Sequence, residues 1–227
     1  MKYYYNDVPG KGLVRNNLIY TSLVNDDYTE FVQWYHNDTE YHKGKNQVVD
    51  PNLMEEKWNR EKKFLSMMAE EYPQHVPYVI NINDETKKVH LKIDGVDFWQ
   101  QANCDVANYD SVLPNWQEQM LEILEAHRDM GIYKYSLHPS SYFVVDGKLK
   151  SINYFFCYTD DDEPVTIGEH LSHISDDRQN DLFQKMKYYD LTVDDKIDFR
   201  IAQQLCFDSF SNNYPQDFIN KARKIYV

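Results

Sequence analysis

The pattern of predicted elements changes near residue 94, and this change limits the fold more than any other feature of the sequence. Before it, segments rich in Val, Ile, Phe, Trp and Tyr are divided by polar or glycine-containing turns, which indicates β-strands. Strands are predicted at Tyr3–Tyr5, Asn17–Val24, Thr29–His36, Tyr78–Asn83 and Lys88–Ile93. After it, apolar residues recur mostly at helical spacing. Strands with one inserted helix, followed by helices, predict an α+β fold.

The inserted helix is predicted between residues 50 and 71. Asp50 is a good N-cap, Pro51 suits the first helical turn, and Tyr72-Pro73 ends the helix. Its apolar stripe comprises Met54, Trp58, Leu65 and Met68. Glu61 lies in the middle of this stripe, where a carboxylate is costly to bury unless it is paired or hydrogen-bonded. Glu61 is therefore the most informative residue of this helix.

The second half is predicted to be mostly helical, with one β-hairpin. A helix is expected from Pro114 to Met130, ended by Gly131. Strands at Tyr142–Val145 and Leu149–Tyr154 flank an Asp146-Gly147 turn, which favours a two-residue hairpin loop. Further helices are predicted at 176–189, 193–211 and 215–226, the second with Ile197, Ile201 and Leu205 facing inward.

Composition argues against several classes of protein. A formal net charge of −13 disfavours binding to nucleic-acid phosphates. No apolar run approaches the ~20 residues of a membrane helix, and the N-terminus lacks the apolar stretch of a signal peptide. Three dispersed cysteines fit a reducing compartment. We expect a cytoplasmic protein that binds neither nucleic acid nor membranes. The composition, rich in Tyr, Asn and Asp, would fit a viral protein, and such a protein would be located in the host cytoplasm.

Between Ala126 and Phe156 the chain reads AHRDMGIYKYSLHPSSYFVVDGKLKSINYFF. This segment resembles the catalytic segment of kinases of the RIO, aminoglycoside phosphotransferase and lipopolysaccharide kinase type. There, a helix ending in H-x-x-G-I precedes H-G-D-L-H-P-x-N-I-L-V, a tight turn and K-L-x-x-I-D-F-G. Met130-Gly131-Ile132 matches the helix end, Leu137-His138-Pro139 the loop, and Lys148-Leu149 the return strand.

The resemblance extends upstream. Trp58-Asn59-Arg60-Glu61 is similar to the helix that carries a glutamate in these kinases, and Leu91–Asp97 to the hinge between their lobes. It implies a two-lobed, protein-kinase-like fold. The N-lobe, with an antiparallel sheet and one helix, would span residues 1–97, and a mostly helical C-lobe residues 98–227. A bound nucleotide would contact the hinge near Leu91 and Ile93.

The resemblance also implies that the catalytic positions are degenerate. The base aspartate is replaced by Ser136, one metal-binding residue by Ser141, and the metal-binding aspartate of D-F-G by Asn153. Loss of a general base alone costs about 10²–10⁴-fold in rate, and phosphoryl transfer depends on charge neutralisation by Mg²⁺ and lysine. His138 is retained, either as a remnant of the catalytic loop or as a hydrogen-bonded structural histidine.

The strand Phe31–Tyr35 lies where the phosphate-binding lysine of these kinases belongs, and it contains no lysine. We therefore expect Glu61 to accept hydrogen bonds from neutral donors of this strand, namely Gln33, Trp34 or Tyr35. An unpaired buried carboxylate would cost several kcal/mol or take up a proton.

These replacements predict a pseudokinase-like module that acts by protein interaction or regulation, through a protein partner that the sequence does not identify. No cofactor is expected, although weak binding of ATP or Mg²⁺ stays open. The alternative is an atypical phosphotransferase or nucleotidyl transferase that uses Asn153 with a nearby acid such as Asp129 or Asp160. His127-Arg128-Asp129 spells the H-R-D of protein kinases, but Lys134 stands where its asparagine belongs.

Overall fold

A computed structural model of the chain describes residues 5–7, 13–16, 19–37, 51–164, 166, 191–192 and 194–226. Their contacts define two compact units. The sheet unit comprises residues 3–119 and 139–156, and the helical unit comprises residues 120–138 and 157–227 with the first two residues. Helices and an antiparallel N-terminal sheet confirm the predicted α+β class. The predicted division into lobes between residues 97 and 98 stays a prediction.

The elements of the described residues have the following bounds. The strands are β1 Tyr5–Asp7, β2 Leu13–Asn16, β3 Tyr20–Val24, β4 Glu30–Tyr35, β5 Tyr78–Asn83, β6 Lys88–Lys92, β7 Tyr133–Lys134, β8 Tyr142–Val145, β9 Lys148–Ser151 and β10 Cys157–Tyr158. The α-helices are α1 Pro51–Glu71, α2 Phe98–Gln101, α3 Tyr109–Val112, α4 Trp116–Asp129, α5 Phe199–Ser209 and α6 Gln216–Arg223.

The sheet unit is built on a six-stranded antiparallel sheet with the order β1-β2-β3-β4-β6-β5. The predictions for β3, β4, β5 and β6 are confirmed to within three residues at each end. Strand β1 covers Tyr5–Asp7, whereas the predicted first strand covered Tyr3–Tyr5. Strand β2 was not predicted. Leu13-Val14-Arg15-Asn16 is too short and too polar to give a period-two apolar pattern.

Helix α1 has the predicted bounds, although the predicted N-cap Asp50 lies outside the described residues. Trp58, Leu65 and Met68 of its apolar stripe are fully buried. The indole Nε1 of Trp58 donates a hydrogen bond to Asp84 Oδ1 at 3.1 Å. Since Asp84 lies in the turn between β5 and β6, this bond attaches the helix to the sheet.

Strands β8 and β9 form the predicted hairpin, which pairs Tyr142 with Ser151 and Val145 with Lys148. The return strand ends at Ser151 rather than at the predicted Tyr154, because Asn153 has a positive φ angle that leaves the strand conformation. Its turn residues Asp146 and Gly147 have φ angles of 51° and 69°. Positive φ at both central positions defines the type I′ turn that Asp-Gly favours. The local signal thus predicted both the hairpin and the geometry of its loop.

The helical unit contains most of α4, and residues 116–119 of this helix belong to the sheet unit. Met120, Ile123, Leu124 and His127 are buried as predicted. Gly131 follows the helix with a φ of 66°, which confirms it as the C-terminal stop. None of the described helices has the length and apolar character needed to cross a membrane.

The prediction for α5 was wrong at its start. The helix begins at Phe199 rather than Val193, because the Asp198 side chain accepts a hydrogen bond from Arg200 N and caps it. The inward face therefore carries Phe199, Ala202, Leu205 and Cys206, while Ile201 is 49% exposed. The final helix is confirmed as α6, and the predicted helix 176–189 lies outside the described residues.

The three cysteines should differ in reactivity. Burial raises the pKa of the Cys206 thiol to about 12, and Cys157 is buried, whereas Cys104 is exposed. Because the thiolate is the nucleophile and needs access to the reagent, iodoacetamide near pH 8 is expected to label Cys104 alone in the folded protein. Peptide mass spectrometry after labelling checks this.

Labelling in guanidinium chloride, where all three cysteines should react, is the control. Labelling of Cys206 in the native protein at the same rate as Cys104 would contradict the buried placement of Cys206.

Candidate functional site

The candidate site is organised by the inward face of β4. Phe31, Gln33 and Tyr35 alternate along this strand and are all buried, with Gln33 fully inaccessible. The ring of Phe31 lies edge-on to Phe143 of β8, with centroids 5.5 Å apart. Strand β4 therefore presents two aromatic rings and an amide to the interior of the sheet unit.

Gln33 belongs to a buried chain of neutral hydrogen bonds with two predicted site residues. Its Nε2 donates to Asn153 Oδ1 at 3.2 Å, and Asn153 Nδ2 donates to Ser141 Oγ at 3.0 Å. Ser141 and Asn153 are 4% and 3% exposed. The structure thus brings together the two positions predicted to correspond to metal ligands, which lie 12 residues apart in the sequence.

This donor set does not fit Mg²⁺, which prefers carboxylate oxygens. Its members are two carboxamides and a hydroxyl, all neutral, and their polar atoms bond to one another. Within the described residues, no group of three His, Cys, Asp or Glu side chains could hold a metal ion. Gln33 Oε1, also buried, finds no donor, so one acceptor of the network stays unsatisfied. The arrangement can hold strand and hairpin together, but it offers no charge to a cation.

Glu61 is also in the sheet unit, on α1, and is 1% exposed. Its Oε2 accepts a hydrogen bond from Tyr35 OH at 3.0 Å, which confirms the prediction that a neutral donor of β4 contacts this carboxylate. The ring of Tyr35 packs against Trp58, with centroids 5.6 Å apart. Helix α1 and β4 are therefore joined by both a polar contact and an aromatic contact.

Lys57 is a buried cation that the sequence interpretation missed. It is 2% exposed and lies one turn before Glu61, so the two side chains share a face of α1. Its Nζ is 3.1 Å from Glu56 Oε1 and 4.8 Å from the centroid of the Phe156 ring. The sequence did offer a signal for this residue, because Lys57 precedes Glu61 by four positions, the spacing at which two helical side chains are neighbours.

Asn153 has a φ of 65°, a left-handed conformation that asparagine tolerates better than most residues. The chain then carries Phe155 onto the inward face of the sheet. Its ring centroid is 5.2 Å from that of Tyr20 and 6.4 Å from that of Tyr35. Aromatic packing therefore anchors the segment that follows the network.

Ser136 and His138 belong to the helical unit. Ser136 is half-buried, and its carbonyl accepts a hydrogen bond from Lys134 Nζ at 3.1 Å. His138 is buried, and its ring lies edge-on to Phe210, with centroids 5.6 Å apart. Lys134, itself fully buried, was not predicted as a site residue. Both predicted residues sit on a loop fixed within this unit, as the bond from Tyr214 OH to Leu137 O at 2.6 Å also indicates.

The remaining predicted positions are spread over both units. Leu91 and Ile93, the hinge candidates, are buried in the sheet unit, where Leu91 pairs with Phe31 and Val79. Asp129 and Asp160, the acids of the alternative reading, are exposed in the helical unit. Arg128 Nη2 contacts Asp129 Oδ1 at 2.7 Å, and Tyr133 OH donates to Asp160 Oδ2 at 3.4 Å.

In comparisons with known proteins, no protein-family model and no curated protein matches the chain.

Replacing Tyr35 by Phe should lower the free energy of unfolding by about 1.5–3 kcal/mol, because a hydrogen bond to a buried carboxylate is lost while the ring stays. Urea denaturation followed by circular dichroism measures this change. Tyr78→Phe is the matched control, since Tyr78 is 73% exposed on the same sheet and should change stability by less than about 0.5 kcal/mol. Equal effects of the two substitutions would show that the bond to Glu61 contributes nothing.

Proposed function

We propose that this chain is a two-lobed, kinase-like module that has lost catalysis and acts by binding another protein. The observation that carries the proposal is the bond between Asn153 and Ser141, which stand where the metal ligands of the resembled kinases belong. Neutral side chains at these positions form an internal structural network with Gln33.

The chemistry of phosphoryl transfer supports this interpretation. Catalysis in such enzymes comes almost entirely from positioning and from neutralising the charge of the phosphates. Asn153 and Ser141 provide no negative charge for Mg²⁺, and Gln33 is a neutral side chain at the centre of β4. An enzyme built on these residues would lack the largest stabilising contributions to its transition state.

The retained Glu61 is consistent with a structural role. Its carboxylate accepts a hydrogen bond from Tyr35, and a buried charged group with good partners holds elements in one arrangement. The proposal therefore assigns Glu61 to the attachment of α1 to the sheet.

Isothermal titration calorimetry with ATP, in Mg²⁺ and in EDTA, tests the loss of catalysis. We expect no Mg²⁺-dependent binding tighter than about 100 µM, because Ser141 and Asn153 offer no negative charge to the metal ion. Such a ligand would contribute less than about 5.5 kcal/mol of binding free energy. A cooperative thermal transition of the same sample is the control for folded protein. A Mg²⁺-dependent dissociation constant in the low-micromolar range would overturn the proposal and favour the alternative of an atypical phosphotransferase.

Substituting Asn153 by Asp tests the assignment of the position itself. Without Mg²⁺, the variant should lose about 3–5 kcal/mol of stability at pH 7, since a buried carboxylate replaces the neutral amide that donates to Ser141. Burial raises the pKa of such a group, so the folded state binds the proton more tightly and the loss should shrink as the pH falls toward 4. Millimolar Mg²⁺ should restore part of the stability if the position faces a metal site. Asn81→Asp, on exposed β5, is the control. A Mg²⁺ response equal in both variants would contradict the assignment.

A further inference from the structure

Strand β5 is the edge of the six-stranded sheet. Natural edge strands are usually protected by charged residues, proline or a covering segment. The sequence of β5 is Tyr-Val-Ile-Asn-Ile-Asn, which contains no charged residue and no proline. A bulge between Val79 and Asn81 is the one protective feature that this strand has within the described structure.

Among the residues that the structure describes, the edge is open along its main chain. Each strand at the edge of an antiparallel sheet directs half of its N–H and C=O groups away from its neighbour. Within the described residues, no backbone group outside the pairing with β6 bonds to the main chain of residues 78–83. The side chain of Asn83 accepts from Thr86 N at 2.8 Å, which closes the turn and leaves the edge open.

The side chains of β5 form two contrasting rows. Val79 and Ile82 pair with Leu91 and Val89 on the inward face, and both are only half-buried. The outward row contains Tyr78, which is 73% exposed, and the bulge residue Ile80 is 42% exposed. An added strand would therefore meet apolar side chains along its inward row.

The outward face beside this edge is positively charged in a chain with a net charge of −13. Lys88, His90 and Lys92 alternate along β6, opposite Asn83, Asn81 and Tyr78. His90 pairs with Glu30 at 2.9 Å, and Lys88 Nζ lies 5.1 Å from the centroid of the Trp34 ring. Neither lysine has a carboxylate within ion-pair distance among the described residues.

We propose that β5 binds an extended segment of a partner protein by strand addition, and that this segment alternates acidic and apolar residues. An added strand would lie about 10 Å from β6, twice the spacing between neighbouring strands. Lys88 can bridge this distance to a glutamate, because Asn83 between them is short, and Lys92 adds positive charge beside Tyr78 on the same face. Main-chain bonds would supply affinity, and the two rows would supply specificity.

A second copy of this chain fits the edge less well. Two copies each carry a net charge of −13, so their long-range repulsion opposes association more strongly than the repulsion of a short acidic segment would. Pairing β5 with itself would also leave Lys88 and Lys92 of both copies without carboxylates. The inference rests on the proposed interaction function, but its test involves no nucleotide, so either can fail without the other.

The test uses fluorescence anisotropy with the full chain and a labelled peptide of alternating Glu and Val, as long as β5. A peptide of the same length with alternating Lys and Val is the comparison. We expect saturable binding of the Glu–Val peptide, with an affinity at least about tenfold higher than that of the Lys–Val peptide. A Glu–Val peptide methylated on alternate backbone nitrogens should also bind at least about tenfold more weakly, since strand addition needs those N–H groups. Hydrogen exchange at residues 78–83 should slow with the unmethylated peptide.

Two variants locate the site. Ile80→Lys places a charge on the edge and should weaken binding of the Glu–Val peptide, while Lys88→Glu with Lys92→Glu should reverse the preference toward the Lys–Val peptide. Lys148→Glu, which makes the same type of substitution at one exposed lysine of β9, is the control and should leave binding unchanged. The proposal is overturned if the methylated peptide binds as well as its parent, if the charge reversal has no effect, or if sedimentation shows a dimer that Ile80→Lys dissociates.

Discussion

The carboxamide of Asn153 joins parts of the sheet unit that are far apart in the sequence. It accepts from Gln33, 120 residues earlier, and donates to Ser141 on the hairpin side. An amide can do both at once and carries no charge, so it can be buried without a counter-ion. A carboxylate in the same place would accept both bonds and still need a cation. The choice of asparagine thus decides whether this interior is a closed structural junction or a site for a charged ligand.

Two buried ionic groups of the sheet unit lie on helix α1. Lys57 and Glu61 are both almost inaccessible and share a face of α1. Each buried charge costs several kcal/mol unless it is compensated by bonds to its surroundings. Tyr35 provides one such bond, and the Phe156 ring offers its electron-rich face to the ammonium group. Aromatic side chains therefore contribute to the surroundings of both charges, beside the Glu56 carboxylate that contacts Lys57.

Local signals predicted a large part of this fold. A proline at the start of α1, the Asp146-Gly147 turn and Gly131 after α4 each act within a few residues, and each element has nearly the predicted bounds. The short helix α2 and the start of α5 were missed, because single capping aspartates set them and no apolar period marks them. In the site, motif spacing identified Ser141 and Asn153. The bond to Gln33 depends on tertiary packing, which the sequence does not show. Lys57 was not predicted to be buried, because lysines are almost never fully buried.

The two faces of β4 separate the closed interior from the surface that can meet other molecules. Gln33 and Tyr35 point inward, while Trp34 between them is 39% exposed and packs with Lys88 on the outward face. Because side chains alternate along a strand, substitutions on the outward face can change recognition without disturbing the inward bonds. Strands β4, β6 and β5 are also connected by one continuous ladder of hydrogen bonds. A segment added to β5 would therefore extend a sheet whose position is already fixed by the Gln33–Asn153 and Tyr35–Glu61 bonds, and the ordering cost of binding would fall mainly on the partner.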